Sequence, residues 1–282
     1  MSKRQSSFIF FLSLVISGTI FIQMALYVLS MLAGWNVKFN IVIVCHSWLK
    51  TIGLSSLEYV LDALVILTLL SSIWHIGSQI FYVSRLNRHF EQYKDNLLTK
   101  NMNQTHSSEE EDILIISNPV PIAITMGFVK PKIVLSTGLI KLLTDEELKA
   151  VVSHEIYHKN NNDPFKLFLL TLCASTIRYI PILKWFNEQY RIIQEVLADE
   201  FAIRKQETSV HLGSALLKML KFGKQAKMPF AYASFADTSV NYRIEYMLNP
   251  LNDVKCKVPL KKAFLSLAVF MIICAFFIYA LA

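Results

Sequence analysis

Residues 8–32 (FIFFLSLVISGTIFIQMALYVLSML) carry no charged side chain over about 25 positions, and a helix needs only about 20 apolar residues to cross a hydrocarbon core. The run predicts a first membrane span, flanked by Lys3 and Arg4. A cleavable signal peptide has a shorter apolar region followed by small residues at the cleavage point, so the length favours an anchor. A second apolar stretch, 59–84, has Asp62 at one end, His75 inside it, and Arg85, Arg88, His89 and Lys94 just beyond. A third, 263–282, is uncharged and follows Lys255, Lys257, Lys261 and Lys262. Composition agrees: 54% of residues are hydrophobic and 17% charged, against about 25% charged in an average globular chain. The net charge is 28 − 21 = +7, but the basic residues gather where apolar runs end. That pattern orients a membrane protein and argues against direct nucleic acid binding. Cys45, Cys173, Cys256 and Cys274 are scattered with no C-x-x-C pair, which argues against a disulfide framework and a cysteine zinc site.

The positive-inside rule places Lys3 and Arg4 in the cytoplasm, the loop from about 33 to 58 outside, 85–262 inside and the end of the chain outside. The expectation is a multi-pass protein of the cell membrane in three parts. Residues 1–84 hold two transmembrane helices (8–32 and 59–84), 85–262 form a cytoplasmic domain, and 263–282 form a last transmembrane helix. The polar stretch 99–112 reads as a solvated linker. Residues 167–183 form a fourth apolar stretch, interrupted by Arg178 and Pro181 and at the lower limit for a span.

Within 85–262, the runs ILIIS (113–117), PIAIT (121–125) and KIVLS (132–136) predict a small antiparallel β-sheet. Thr144-Asp145-Glu146-Glu147 is a capping box, with Leu143 and Leu148 as its hydrophobic staple, so a helix starts near residue 145. That helix carries His154-Glu155-Ile156-Tyr157-His158. Residues four apart share a helix face, so the two imidazoles can converge on one ion with Glu155 beside them, the H-E-x-x-H geometry of zinc sites. Zn2+ lowers the pKa of a bound water toward about 7, and Glu155 would act as general base in peptide hydrolysis. Two incidental histidines on a solvated helix are the plain alternative.

A catalytic zinc needs a third protein ligand. In EQYRIIQEVLADEFAIRKQ (188–206), Arg191, Glu195 and Asp199 recur every four residues beside an apolar face. Glu195 is the candidate ligand, and Asp199 could accept a hydrogen bond from the free ring nitrogen of a ligating histidine. An Arg191/Glu195/Asp199 surface ladder, or ligation by Asp199, Glu188 or Glu200, remains open. Both halves of the site must lie in one compartment, and two crossings between them would need roughly 40 apolar residues. Residues 167–183 should therefore be a buried or membrane-facing helix. A peptide substrate would lie antiparallel to an edge strand, with KIVLS as candidate and a scaffold strand as alternative.

Taken together, G-F-V-K-P-K-I-V-L-S, L-T-D-E-E-L-K-A-V-V-S-H-E-I-Y-H and E-V-L-A-D resemble the integral-membrane antirepressor metallopeptidases of the BlaR/MecR type over roughly residues 80–250. The E-x-x-A-D arrangement is shared with the HtpX and CaaX-prenyl-protease metallopeptidases. The resemblance implies a mainly α membrane protein with a gluzincin-like metallopeptidase domain between transmembrane helices. It implies His154, His158 and Glu195 as zinc ligands, Glu155 as general base, and Asp199 and Asp163 as their supports. NYRIEYML (241–248) is similar to a family pattern that brings an arginine toward the site, which implies substrate or oxyanion binding by Arg243 or leaves it an ordinary surface residue. Lys159-Asn160-Asn161-Asn162 departs from the basic residues common there, and 282 residues leave no room for the penicillin-binding sensor domain of the β-lactam sensors. The activity implied is regulatory cleavage of a cytoplasmic protein, a winged-helix repressor or the enzyme itself. HtpX-like membrane-protein quality control is one alternative. A non-catalytic receptor or immunity protein with structural zinc is another. The lipid bilayer is the expected surroundings, and a homodimer is among the assemblies open to the chain.

Overall fold

Thirty-one consecutive residues, Lys3–Ala33, form the first helix, α1, and thirty-five, Glu58–Gln92, form α3. A computed structural model describes residues 3–34, 40–53, 55–106, 112–222, 233–234, 240–249 and 259–281. Both helices are long and apolar enough to cross a membrane. Their outward faces are apolar: Phe11 is 64% exposed on α1 and Trp74 is 75% exposed on α3. Water would penalise such faces, and lipid would not. Between them, α2 (Ile41–Thr51) occupies part of the expected 33–58 loop, started by Asn40, whose Oδ1 accepts from the Val42 N–H.

The chain divides into two compact units. One comprises Ile9–Gly77, Leu170–Asn187 and Lys257–Ala282. It contains most of α1, α2, the first half of α3 and α11 (Leu260–Leu281), around a core of Met24, Tyr27, Val42 and Val65. The expected third span lies within α11, apart from Ala282, which falls outside the described residues.

The other unit comprises Met1–Phe8, Ser78–Leu169 and Glu188–Cys256. Its sheet contains β1 (Ile113–Ile116), β2 (Ala123–Met126), β3 (Lys132–Ser136) and β4 (Ala233–Ser234), in the order β1-β3-β2-β4. One sheet face, with Ile113, Ile115, Ile133 and Leu135, packs on α6 (Asp145–Asn160) and α9 (Val210–Phe222). The other, with Leu114, Ile116, Ile124 and Val134, packs on Val83, Leu86 and Phe90 of α3. Alternation therefore sorts side chains between two buried faces.

The protein is mainly helical with a small sheet, as expected, but the sheet is mixed. β2 pairs antiparallel with β3 and β4, whereas β1 pairs parallel with β3. Two chain reversals return β3 to the direction of β1, and β3 inserts between its predecessors, so that contact is necessarily parallel. KIVLS is therefore a central strand, not an edge that could receive a peptide. The 99–112 linker is also corrected: α4 (Asn96–His106) covers its first part, and 107–111 lie outside the described residues. Thr99 and Asn103, one turn apart, bind the free edge of β1, with the Ile113 N–H donating to Asn103 Oδ1 at 2.9 Å and the Ile115 N–H donating to Thr99 Oγ1 at 3.0 Å. Their polarity serves the sheet, not solvent.

The 167–183 stretch is not one helix. α7 (Asp163–Thr176) ends before Pro181 opens α8 (Pro181–Gln206), as expected for a residue tolerated in a first turn but not in a helix interior. At 14 residues and about 1.5 Å each, α7 is about 21 Å long, short of the roughly 30 Å hydrocarbon thickness.

Candidate metal centre

Thr144 starts α6 with a complete capping box, its hydroxyl accepting from the Glu147 N–H while Glu147 Oε2 accepts from the Thr144 N–H at 2.8 Å. Glu147 also ties α6 to α9 through Ser214 Oγ at 2.6 Å and Lys218 Nζ at 2.7 Å. This fixes the helix that delivers His154, Glu155 and His158, each fully buried.

α8 supplies the third group. His154 Nε2 and His158 Nε2 lie 3.1 Å apart, His154 Nε2 is 3.5 Å from Glu195 Oε2, and His158 Nε2 is 3.5 Å from Glu195 Oε1. A tetrahedral ion with bonds of about 2.0–2.1 Å separates its ligands by about 3.3 Å, and these distances bracket that edge. The opposite ring nitrogens face carboxylates, His154 Nδ1 at 2.8 Å from Asp199 Oδ1 and His158 Nδ1 at 2.8 Å from Asp163 Oδ2. Each carboxylate selects the tautomer that leaves Nε2 as a lone-pair donor. Two imidazoles and a carboxylate converging at van der Waals range thus fit a divalent metal ion.

Glu155 stands beside this set on β2's side. Thr125 Oγ1 donates to Glu155 Oε2 at 2.6 Å, and Glu155 Oε1 has no hydrogen-bond partner among the described residues. Burial raises the Glu155 carboxyl above its ordinary pKa, against the charges of the two histidines. Glu195 is pushed up by burial, but the His154 hydrogen bond and the charges of His158 and Arg243 prevail and hold it low. Asp199 is likewise held low against burial, chiefly by Arg243.

Arg243, on α10 (Val240–Leu248), is fully buried and turns into the carboxylates. Its Nε and Nη2 donate to Asp199 at 2.8 and 2.7 Å, and its Nη1 lies 3.1 Å from Glu195 Oε2. It occupies neither an ordinary surface position nor an open one facing substrate. His154, Glu155, His158, Asp163, Glu195, Asp199 and Arg243 therefore fall in one cluster. Glu188 is exposed, and Glu200 pairs with Arg204 instead. Thr125 escaped sequence reasoning. Its one signal was a hydroxyl between Ile124 and Met126 in an otherwise apolar strand.

Comparison with known proteins gives the same direction. Over 181 residues, 59% of this chain and 30% of the relative, it is 22% identical to "Regulatory protein BlaR1" of Bacillus licheniformis. Over 74 residues, 24% of this chain and 22% of the relative, it is 42% identical to "Plastoglobule-localized metallopeptidase 48, chloroplastic" of Arabidopsis thaliana. The chain spans less than a third of either relative's length. A family model described as BlaR1 peptidase M56 matches residues 25–247, most of the chain, and the protein belongs to that family of BlaR/MecR-type membrane metallopeptidases.

Proposed function

We propose that the protein is a zinc-dependent endopeptidase, anchored in the cell membrane with its catalytic unit in the cytoplasm, that regulates by cleaving a transcriptional repressor, itself, or both. The carrying observation is the convergence of His154 Nε2, His158 Nε2 and the Glu195 carboxylate at 3.1–3.5 Å with Glu155 beside them. Bound zinc would supply a Lewis acid for the scissile carbonyl and lower the pKa of the attacking water. Thr125 holds one oxygen of Glu155, leaving Oε1 to take the proton of that water and return it to the leaving amine. Burial, which raises the Glu155 carboxyl above its ordinary range, suits a group that must both accept and release a proton. Asp163 and Asp199 orient the imidazoles, and Arg243 keeps Asp199 and Glu195 ionised and in place.

The sheet supports self-cleavage as one arm of this reading. The backbone at Ala233–Ser234 lies antiparallel on Ile124–Thr125 of β2, the strand that holds Glu155. Extended peptides add to sheets in this way, and the opposite edge, β1, is engaged by Thr99 and Asn103. The relative's printed name, a regulatory protein, accords with a signalling role.

The test is metal content and intact mass of the full chain purified in detergent. Wild type should hold one zinc and cleave near Ala233–Ser234. Glu155→Gln should keep zinc and remain intact, and His154→Ala should lose both. Cleavage at the wild-type rate by Glu155→Gln would reject the mechanism.

A further inference from the structure

The first turns of α1 belong to the catalytic unit, although the helix continues unbroken through the membrane unit. Ser6, on those turns, is buried at 3% exposure, and Gln194 at 5% on α8 donates from Nε2 to Ser6 Oγ. The buried Tyr190 phenol lies close enough to Ser6 and Gln194 to interact with both. Tyr190 and Gln194 are one turn apart and share a face of α8. Glu195 follows Gln194 directly. Tyr190 also lies within electrostatic range of Asp163, the carboxylate behind His158 Nδ1. Three buried polar side chains thus gather where α1 meets the helix carrying the candidate third ligand, held by the Gln194–Ser6 hydrogen bond.

At its far end α1 carries a second polar attachment. Tyr27 Oη donates to Asp62 Oδ1 of α3 at 2.6 Å, and His46 Nε2 of α2 lies 3.1 Å from the same oxygen. From Ser6 to Tyr27 the helix rises about 32 Å, close to the roughly 30 Å of a hydrocarbon core. Ser6 attaches the first turns of α1 to α8 one residue before Glu195.

We propose that Ser6 is a positioning residue of the metal centre: with Tyr190 and Gln194 it fixes the height and rotation of α8, so that movement of α1 displaces the Glu195 carboxylate. Metal ligand distances tolerate only about 0.2 Å, so a small slide of α8 suffices to loosen the site. This rests on the reading of His154, His158 and Glu195 as a zinc site.

The experiment uses the full chain in nanodiscs, comparing Ser6→Ala, Ser6→Thr, Gln194→Leu and the double variant Ser6→Ala/Gln194→Leu. Zinc affinity is read by chelator competition, and backbone hydrogen exchange across 190–199 is read with and without zinc. Ser6→Ala should bind zinc about tenfold more weakly, the lower end of the range for groups behind metal ligands, and exchange faster in α8. Ser6→Thr, which keeps the hydroxyl, should stay near wild type, and the double variant should be no worse than Gln194→Leu. Wild-type affinity and exchange in Ser6→Ala, additive losses in the double variant, or faster exchange spread through the whole catalytic unit would overturn the proposal. If wild type binds no zinc, the zinc reading fails by itself, and exchange in the metal-free variants still decides whether Ser6 clamps α8.

Discussion

Thr125 and His158 show how single side chains set the working range of the centre. Removing the Thr125 hydroxyl takes a hydrogen bond from the ionised form of Glu155, so its pKa rises further. Thr125→Val should retain metal, lose about tenfold in kcat, and move the acidic limb of the pH–rate profile upward. An unmoved limb would separate that limb from Glu155. For the His158 imidazole, burial alone would lower the pKa, but the Asp163 hydrogen bond and the Glu195 charge lift it to about 9 in the metal-free protein. A metal ion must then displace a proton throughout the neutral range. Apparent zinc affinity should strengthen about tenfold per pH unit from 6 to 8, measurable by chelator competition, and a flat dependence would remove His158 from the ligand set. The spacing of His154, Glu155 and His158, and of Glu195 and Asp199, was legible because helix periodicity converts it into direction. Asp163 and Arg243 were visible only through family resemblance. Thr125, Ser6 and Gln194 were hidden because each meets a partner 30 or 188 residues away.

Among the elements, α6 is the one on which the site depends most, and Glu147 secures its start. Burial pushes the Glu147 carboxyl up, but hydrogen bonds from Lys218, Ser214 and the Thr144 N–H, with the Lys218 charge, outweigh it and hold the pKa at about 2. An unfolded glutamate titrates at about 4.3. The stabilisation is therefore complete above about pH 4.3 and fades as pH falls toward about 2. Glu147→Ala should cost about 2 kcal/mol at pH 7, seen as a lower thermal midpoint, and the gap to wild type should narrow across that acidic window. A constant gap would leave only the neutral cap. The capping box was readable in four consecutive letters, since both partners are local. Strand pairing was not: β1 and β3 run parallel because of where β3 inserts, which alternation within each strand does not encode. Asn96–His106 looked like linker because the polar faces of Thr99 and Asn103 look the same whether they meet water or a strand edge.

At the scale of the whole molecule, the argument turns on compartments. His154, His158 and Glu195 lie in one cluster, yet α7 and the start of α8 intervene. α7, at about 21 Å, is short for a crossing, which agrees with both halves of the site facing the same side. The proposed orientation, with Lys3 and Arg4 before the first apolar run and Arg85, Arg88 and Lys94 after the second, would make that side the cytoplasm. Exposed threonines report on this directly. Thr51 ends α2, between the two long apolar helices, and Thr105 lies on α4, in the catalytic unit. With Cys45, Cys173, Cys256 and Cys274 changed to serine, Thr51→Cys should react with a membrane-impermeant maleimide in intact cells. Thr105→Cys should react only after the membrane is opened. Labelling of Thr105→Cys in intact cells would put the catalytic unit outside. A cytoplasmic repressor would then be unreachable, and only the cleavage chemistry and the chain's own backbone at β4 would remain of the proposed function.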